Sequence, residues 1–243
     1  MKALIKFFIY LCGYLLHHNR RSKLFYYHDV DTNYTDMGTP RSLLESHIAK
    51  IRKCGFEIVK EISSPNNQIM IAFDDGWKGL YDNKDYFLAS GIFPTVFIAV
   101  DLIGQEGYMT AEQITELSDL GFCFECHTWT HTGLPDHHGE SLKHELQDAR
   151  EELERRFGKP FTAICFPQGR YSNEVIEGCK AAGFEKMYSS VCGGYYDEYE
   201  HHIIRRNLMQ AVPVSQVKLI LEGDTPLLRN RDLKHHKSDY GIN

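Results

Sequence analysis

The feature that most restricts the fold is an alternation. Short apolar, β-rich segments exchange with amphipathic helical patterns: "KLFYYHDV" (strand), "SLLESHIAKIRKCGF" (helix), "QIMIAFDDG" (strand), "KDYFLASGI" (helix) and "PTVFIAV" (strand). The exchange continues through "TAEQITELSDLGF" (helix), "CFECH" (strand), "SLKHELQDAREELERRFG" (helix), "FTAICFP" (strand), "NEVIEGCKAAGF" (helix) and "EKMYSS" (strand). Glycine stands where helical patterns give way to strand, at Gly55, Gly91, Gly121, Gly158 and Gly183, as left-handed C-caps would require. Such alternation implies βαβ units and a mostly parallel sheet. Segments such as "IMIAF" and "TVFIAV" are apolar on both faces, so helices must cover the sheet. Six or seven units of this kind suit an α/β chain closed as a (β/α) barrel better than an open sheet.

No repeat, low-complexity linker or shift of composition divides the chain. Residues 23–215 read as one domain, preceded by an apolar and basic helix over 1–22 and followed by a C-terminal helix and basic tail over 216–243. The end of that tail, "LLRNRDLKHHKSDYGIN", reads as frayed. The apolar run from Phe7 to Leu16 has Lys2 and Lys6 before it and Arg20, Arg21 and Lys23 after it. Ten residues cannot cross a hydrocarbon core. The run fits either a helix lying on an anionic membrane surface or a helix packed on the domain. A signal peptide fits less well, because His-His-Asn-Arg-Arg follows where small residues should be.

A formal charge of -6 gives no reason to expect nucleic acid. Seven cysteines leave at least one thiol unpaired in a monomer, which favours a reducing compartment. The expected location is therefore cytoplasmic, with the inner face of the cytoplasmic membrane as the partner surface and export or anchoring as the alternative. No obligate protein partner is expected.

In a barrel, the polar residues that follow the strands gather at one end, where such barrels do their chemistry. Here they are His28 and Asp29, Asp74 and Asp75, His127 to His131, and Pro167-Gln168-Gly169-Arg170-Tyr171. Two adjacent carboxylates leaving a buried strand repel unless a cation or a proton relieves them. Two histidines four apart add imidazole donors, and a 2-His-1-carboxylate set leaves positions open for water and substrate. On an extended chain, neighbouring aspartates point opposite ways, so one could bind an ion while the other faces the substrate. Taken singly, "DDG" is also a turn and HxxxH a helix face or a satisfied histidine pair. "CFECH" matches a c-type haem attachment pattern as well, but Cys123 and Cys126 would project to opposite faces of a strand, as buried small hydrophobes.

Ala72-Phe73-Asp74-Asp75-Gly76 and His127-Thr128-Trp129-Thr130-His131 resemble the first two motifs of the polysaccharide deacetylases, the NodB-homology domain of carbohydrate esterase family four. "LFYYHDV" and "FPQGRYSNEVIEGCKAAGF" extend the similarity from about Leu24 to Arg206. The Tyr-His-x-Val segment resembles the exopolysaccharide N-deacetylase branch. The resemblance implies a distorted (β/α) barrel of about seven strands. It makes Asp74 the general base, with Asp75, His127 and His131 as ligands of a divalent metal, usually zinc, sometimes cobalt or nickel. It also implies an oxyanion-stabilising backbone N–H at Gln168 and an acetylated saccharide as substrate.

The pattern departs from the family's in three places. Cys165-Phe166-Pro167-Gln168 stands where many members have Arg-x-Pro-Tyr, so the arginine that orients the base is missing and Arg170 is the nearest substitute. The family's general acid is a histidine near the last strand. His201 and His202 lie nearest, His202 is the one taken as catalytic, and His28 is a further candidate. The tryptophan of the fourth motif has no counterpart beyond Trp77 and Trp129. Trp77, Pro167, Arg170, Tyr171 and His28 are the expected substrate-facing residues. The implied function is metal-dependent removal of acetyl groups, most simply N-acetyl, from sugars of a polysaccharide or its lipid-linked precursor. A non-catalytic glycan-binding protein on the same fold is the alternative.

Overall fold

The structure is a computed structural model and describes residues 2–198 and 202–239. Helix α1 (Lys2–Leu16) precedes strand β1 (Lys23–Tyr27), the short parallel pair β2 (Asp29–Val30) and β3 (Gly38–Thr39), and α2 (Arg41–Lys53). Next come β4 (Glu57–Val59), β5 (Gln68–Phe73), α3 (Lys78–Asp82), α4 (Lys84–Ser90), β6 (Thr95–Ile98), α5 (Ala111–Asp119) and β7 (Cys123–Cys126). Helix α6 (Gly139–Lys143) runs through a π turn (His144–Asp148) into α7 (Ala149–Phe157). The chain then forms β8 (Ala163–Cys165), α8 (Asn173–Ala181), β9 (Lys186–Tyr188), β10 (Ile203–Ile204), β11 (Arg206–Leu208), α9 (Val214–Glu222) and α10 (Pro226–His236). All five glycines expected at helix ends have positive φ, and Gly91 and Gly158 are left-handed C-caps.

The main sheet is parallel, in the order β10-β9-β8-β7-β6-β5-β1-β11, with β4 added beside β5. Its two edge strands are separated in sequence by Arg205 alone. Residues 203–208 therefore carry both edges: Ser189 N–H donates to Ile204 O (3.0 Å) and Arg206 N–H to Val191 O (3.1 Å). Counting 203–208 as one position, seven strand positions run around the domain, and the expected distorted (β/α) barrel architecture is what the chain adopts.

The period-two alternation of the strands sorts the side chains into two cores. Leu24, Tyr26, Met70, Ala72, Phe97, Cys165, Tyr188 and Ile204 pack inside the ring. Phe25, Tyr27, Ile69, Ile71, Phe73 and Ile98 face outward onto the helices, meeting Leu44 and Ile51 of α2 and Leu117 of α5. Phe73 stacks on Tyr27 (5.4 Å between centroids) and meets Phe87 edge-on (5.7 Å). Truncating such a buried ring to alanine costs about 3–5 kcal/mol. Lys23 is buried at the start of β1, where its Nζ donates to the carbonyls of Ile220, Leu221 and Gly223 (2.5, 2.9 and 2.7 Å) and so satisfies the C-terminal end of α9. Burial pushes its pKa down to about 7.

Two expectations change. The segment "SLKHELQDAREELERRFG" is not one uniform α-helix, because a π turn interrupts it and re-aims Glu145 inward. The C-terminal stretch is not frayed: α10 lies over Tyr171, whose N–H donates to His236 O (2.9 Å), and Asp239 accepts from the Asn173 N–H (2.8 Å). Residues 240–243 lie outside the described residues. Helix α1 takes one of its two expected placements: it packs along α9 and against α10, with Gly13 too close to the backbone of Asp224 to carry a Cβ. No helix among the described residues is long and apolar enough to cross a membrane.

Candidate metal centre and active site

Inward parity explains why polar residues meet at one end of the ring. Asp74 continues the inward row of Met70 and Ala72, and His127 continues that of Cys123 and Glu125. Asp75 does not obey this rule. It and Gly76 both take left-handed φ (70° and 78°), so the chain turns at once and both aspartates enter the site, buried to within 4% of full enclosure. The expectation that neighbouring carboxylates point apart fails here because the chain is no longer extended at Asp75.

Asp75 Oδ1 lies 3.3 Å from His127 Nε2 and 2.9 Å from His131 Nε2. Neither approach has the direction of a hydrogen bond, which leaves Oδ1 a buried oxygen without a proper partner. Oδ2 accepts from the Trp77 indole N–H (3.1 Å). The ring nitrogen Nδ1 of His127 is bound to the carbonyl of Cys165 (2.7 Å), which fixes the tautomer and leaves Nε2 facing Asp75. Three donor atoms thus converge within 4.8 Å of one another. Two imidazoles and one carboxylate with an orphaned oxygen between them fit a divalent ion such as zinc. Burial opposes charge on Asp75, yet the two imidazoles outweigh it and hold its carboxyl well below the usual range. Burial would likewise lower His131, but Asp75 beside it raises its pKa.

The loop that carries the histidines is strained and clamped. Thr128 and His131 both have positive φ (72° and 61°), an unfavourable backbone for residues with a Cβ. Glu145, buried to 1% exposure on the π turn, accepts from the N–H groups of Trp129 (3.1 Å) and Thr130 (3.0 Å) and from the Thr130 hydroxyl (2.7 Å). Thr128 Oγ1 accepts from the His131 N–H (3.2 Å). These bonds hold a conformation that the loop's residues would not choose alone.

Asp74 has a different partner. Arg206 of β11, fully buried, donates Nη1 to Oδ1 (2.6 Å) and Nη2 to Oδ2 (2.9 Å), while its Nε donates to Ser189 O (3.0 Å). The guanidinium lies over the Tyr26 ring at 4.1 Å. Cys165 Sγ stands 4.0 Å from each Asp74 oxygen, and burial keeps this thiol protonated. The arginine absent from position 165 on β8 is therefore supplied from β11, a strand that pairs with β1 and not with β8. Sequence reasoning missed Arg206, and the only signal was a pair of arginines in "IIRRNL" inside a segment short enough to be strand.

Other expected residues are placed as follows. Arg170 does not reach Asp74; it forms a surface pair with Asp136 (2.6 and 3.0 Å). Tyr171 is fully buried under α10, stacked on Phe166 at 5.1 Å, so it packs and faces no substrate. His202 is exposed at the start of β10, the opposite end from the aspartates, with Nδ1 on Glu185 O (3.1 Å); His201 lies outside the described residues. His28 stands at the correct end, after β1, with Nδ1 on Gln210 Oε1 (2.6 Å). Pro167 and the exposed Gln168 form the turn after β8, where Gln168 takes φ 56°. Trp77 is stacked on Tyr108 (4.1 Å between centroids), so one of its faces is occupied. Cys123 and Cys126 do project oppositely, Cys126 among the outward core residues, and this excludes a shared grip on haem.

A family model described as polysaccharide deacetylase matches residues 61–187. A protein of Bacillus subtilis (strain 168) named "Putative polysaccharide deacetylase YxkH" is 25% identical over 170 residues, covering 65% of this chain and 61% of that protein; the chain thus spans less than two thirds of that relative. Among solved structures, BC0361, a polysaccharide deacetylase from Bacillus cereus, superposes with a TM-score of 0.72 at 22% identity, over 84% of this chain and 69% of that one. IcaB from Ammonifex degensii superposes with a TM-score of 0.72 at 17% identity, over 84% and 98%. The matched segment runs through the β5 aspartates and the β7 histidines to β9, and with the fold in agreement this chain belongs to the polysaccharide deacetylase family.

Proposed function

We propose that this protein hydrolyses acetyl groups, N-acetyl in the first instance, from sugars of a polysaccharide or its lipid-linked precursor. The observation that carries the reading is the pairing of two differently held carboxylates on one turn: Asp75 against two imidazoles, and Asp74 against Arg206. Asp75, His127 and His131 would hold the ion, zinc by the chemistry of the donors, with cobalt or nickel also compatible. When bound there, such an ion supplies polarisation of the acetyl carbonyl and a more acidic water.

The protein's own groups do the rest. Asp74, aligned by the fork of Arg206, accepts the proton of the attacking water as general base. A backbone N–H of the turn at Gln168 meets the oxyanion. His28, at the strand-end rim, is the histidine that would return a proton to the leaving amine. Trp77 shapes the entrance and, through its indole N–H, restrains Asp75. The Tyr27-His28-Asp29-Val30 segment, similar to that of the exopolysaccharide N-deacetylases, supports N-acetyl over O-acetyl. The glycan-binding alternative rests on a missing arginine and an unassigned general acid; Arg206 answers the first, and His28 is the residue proposed for the second.

The test is acetate release, together with appearance of free amines, from N-acetylglucosamine oligomers incubated with zinc-loaded protein. Release that disappears in Asp74→Asn while one zinc per chain is retained supports the reading. Stoichiometric zinc with no acetate from any N- or O-acetylated saccharide overturns it.

A further inference from the structure

We propose that the outward face of α1 is a membrane-docking surface that seats the protein on an anionic bilayer. Unlike an ordinary surface helix, α1 is apolar on its outward side as well as on its packed side, where Tyr10 meets the core. Its small, buried residue is Gly13, against Asp224, whereas Leu4, Ile5, Phe8, Leu15 and Leu16 are between 53% and 74% exposed. At 100° per residue these five and exposed Cys12 share one side of the helix, and apart from the Cys12 thiol that side has no hydrogen-bonding side chain. Leu227, at the start of α10, adds a further 73%-exposed side chain to the rim of the same cavity of about 460 Å³ lined by Ile5, Phe8 and Leu16. An apolar patch of this extent marks an interaction site.

Charge selects the occupant. The chain as a whole carries a net charge of -6, yet α1 and α10 together contain Lys6, Arg229, Arg231 and Lys234 against one acid of their own, the buried Asp232, which binds Arg231, while Arg229 pairs with Asp224 just before α10 (3.1 Å). Leu227, Arg231 and Lys234, spaced i, i+4 and i+7, lie on one side of α10, and both cations are exposed. An aliphatic and aromatic stripe continued by a cationic one, with nothing to specify hydrogen bonds, is the chemistry of an interface with anionic lipid headgroups. The helix also reaches the working end of the barrel. Lys6 and Tyr10 share a cavity with Leu208 and Gln210, and Gln210 is bonded to His28. Seated by α1, the protein holds its strand-end site beside the bilayer, where a lipid-linked or membrane-proximal saccharide would be presented; that last step rests on the deacetylase reading, and the docking itself does not.

Co-sedimentation of the full chain with vesicles tests it, using phosphatidylcholine alone and phosphatidylcholine mixed with phosphatidylglycerol. The expected result is partition onto the mixed vesicles, reduced about tenfold or more in Phe8→Glu/Leu16→Glu and several-fold in Arg231→Gln/Lys234→Gln. Both sets of positions are exposed, so folding, checked by circular dichroism, is expected to survive. No partition of the wild type onto mixed vesicles overturns the proposal. So does a stable dimer in light scattering that Phe8→Glu/Leu16→Glu disperses, since it gives the face to a second copy. Equal binding to neutral and anionic vesicles overturns the selection by charge. Acetate release from soluble oligomers is expected to be unchanged in both variants, so a failure of the docking and a failure of the catalytic reading are read separately.

Discussion

Arg206 and Asp74, 132 residues apart in sequence, form a bidentate buried pair at 2.6 and 2.9 Å inside the strand ring. Arg206 is fully buried and Asp74 nearly so, so neither can lose the other without leaving an uncompensated charge. Arg206→Ala is expected to cost about 3–5 kcal/mol, lowering the melting temperature by roughly 10 °C. Arg206→Lys keeps the charge but not the planar fork. It is expected to recover part of the stability while kcat for acetate release stays at least about tenfold down and KM changes little. Thermal melts and steady-state kinetics on the two variants check this; wild-type kcat in Arg206→Lys would remove the orienting role.

The clamp made by Glu145 acts on the loop, not on the ion. Glu145→Ala removes the acceptor for two backbone N–H groups and a hydroxyl, and the left-handed angles at Thr128 and His131 are then free to relax. Zinc affinity, measured by competition with a chromophoric chelator, is expected to weaken about 10–100-fold. Glu145→Gln retains one acceptor oxygen and the same shape, so its loss is expected to be smaller. Undiminished affinity in Glu145→Ala would show that the loop keeps its form without the clamp.

The Asp75–His131 pair sets opposite pH responses for the empty and the loaded protein. Because the folded pKa of His131 is raised above its ordinary 6.5, the pair's contribution to stability without metal is full below that value and is lost as pH rises through the raised one. Asp75, with its folded pKa depressed, contributes above 3.8 and loses its contribution as pH falls below that. A metal must displace the imidazole proton, so affinity runs the other way. Zinc titrations at pH 6 and pH 8 are expected to show tighter binding at pH 8, with proton release on binding larger at pH 6; a pH-independent affinity contradicts the pairing.

Asp29 supplies a second pH signature, away from the aspartate–histidine cluster. It is fully buried, its Oδ1 accepts from the Val30 N–H (2.8 Å) and its Oδ2 has no hydrogen-bond partner. Burial, only partly offset by backbone hydrogen bonds, pushes its pKa from 3.8 up to about 7. Between those values the unfolded chain ionises while the folded one keeps its proton, so this group's contribution to stability falls as pH rises. Asp29→Asn, which cannot ionise, is expected to flatten the decline of urea-unfolding stability between pH 4 and pH 7. An unchanged slope would show that Asp29 is not the group responsible.

The strand–helix alternation, the helix-ending glycines and the members of the aspartate–histidine cluster were all readable in the chain, because each depends on local patterning. Hydrophobic period, a turn residue and a motif at a strand's end act over a few residues, and parity along a strand carries Asp74 and His127 inward without further information. Even the separation of Cys123 from Cys126 followed from the pleat alone. What the tertiary structure decided are the matters of partner and direction. Arg206 reaches Asp74 because residues 203–208 bridge both edges of the sheet, and no local rule distinguishes Arg206 from Arg170, which pairs with Asp136 instead. Asp75 turns inward because of a left-handed φ that the surrounding site imposes, Glu145 because of a π turn, and Tyr171 lies buried because α10 folds back over it. His202 sits at the wrong end because it precedes a strand instead of following one. Local sequence sets which face and which end a side chain can occupy, whereas the energy of a buried charge is set by whatever group the fold places against it, however distant in the chain.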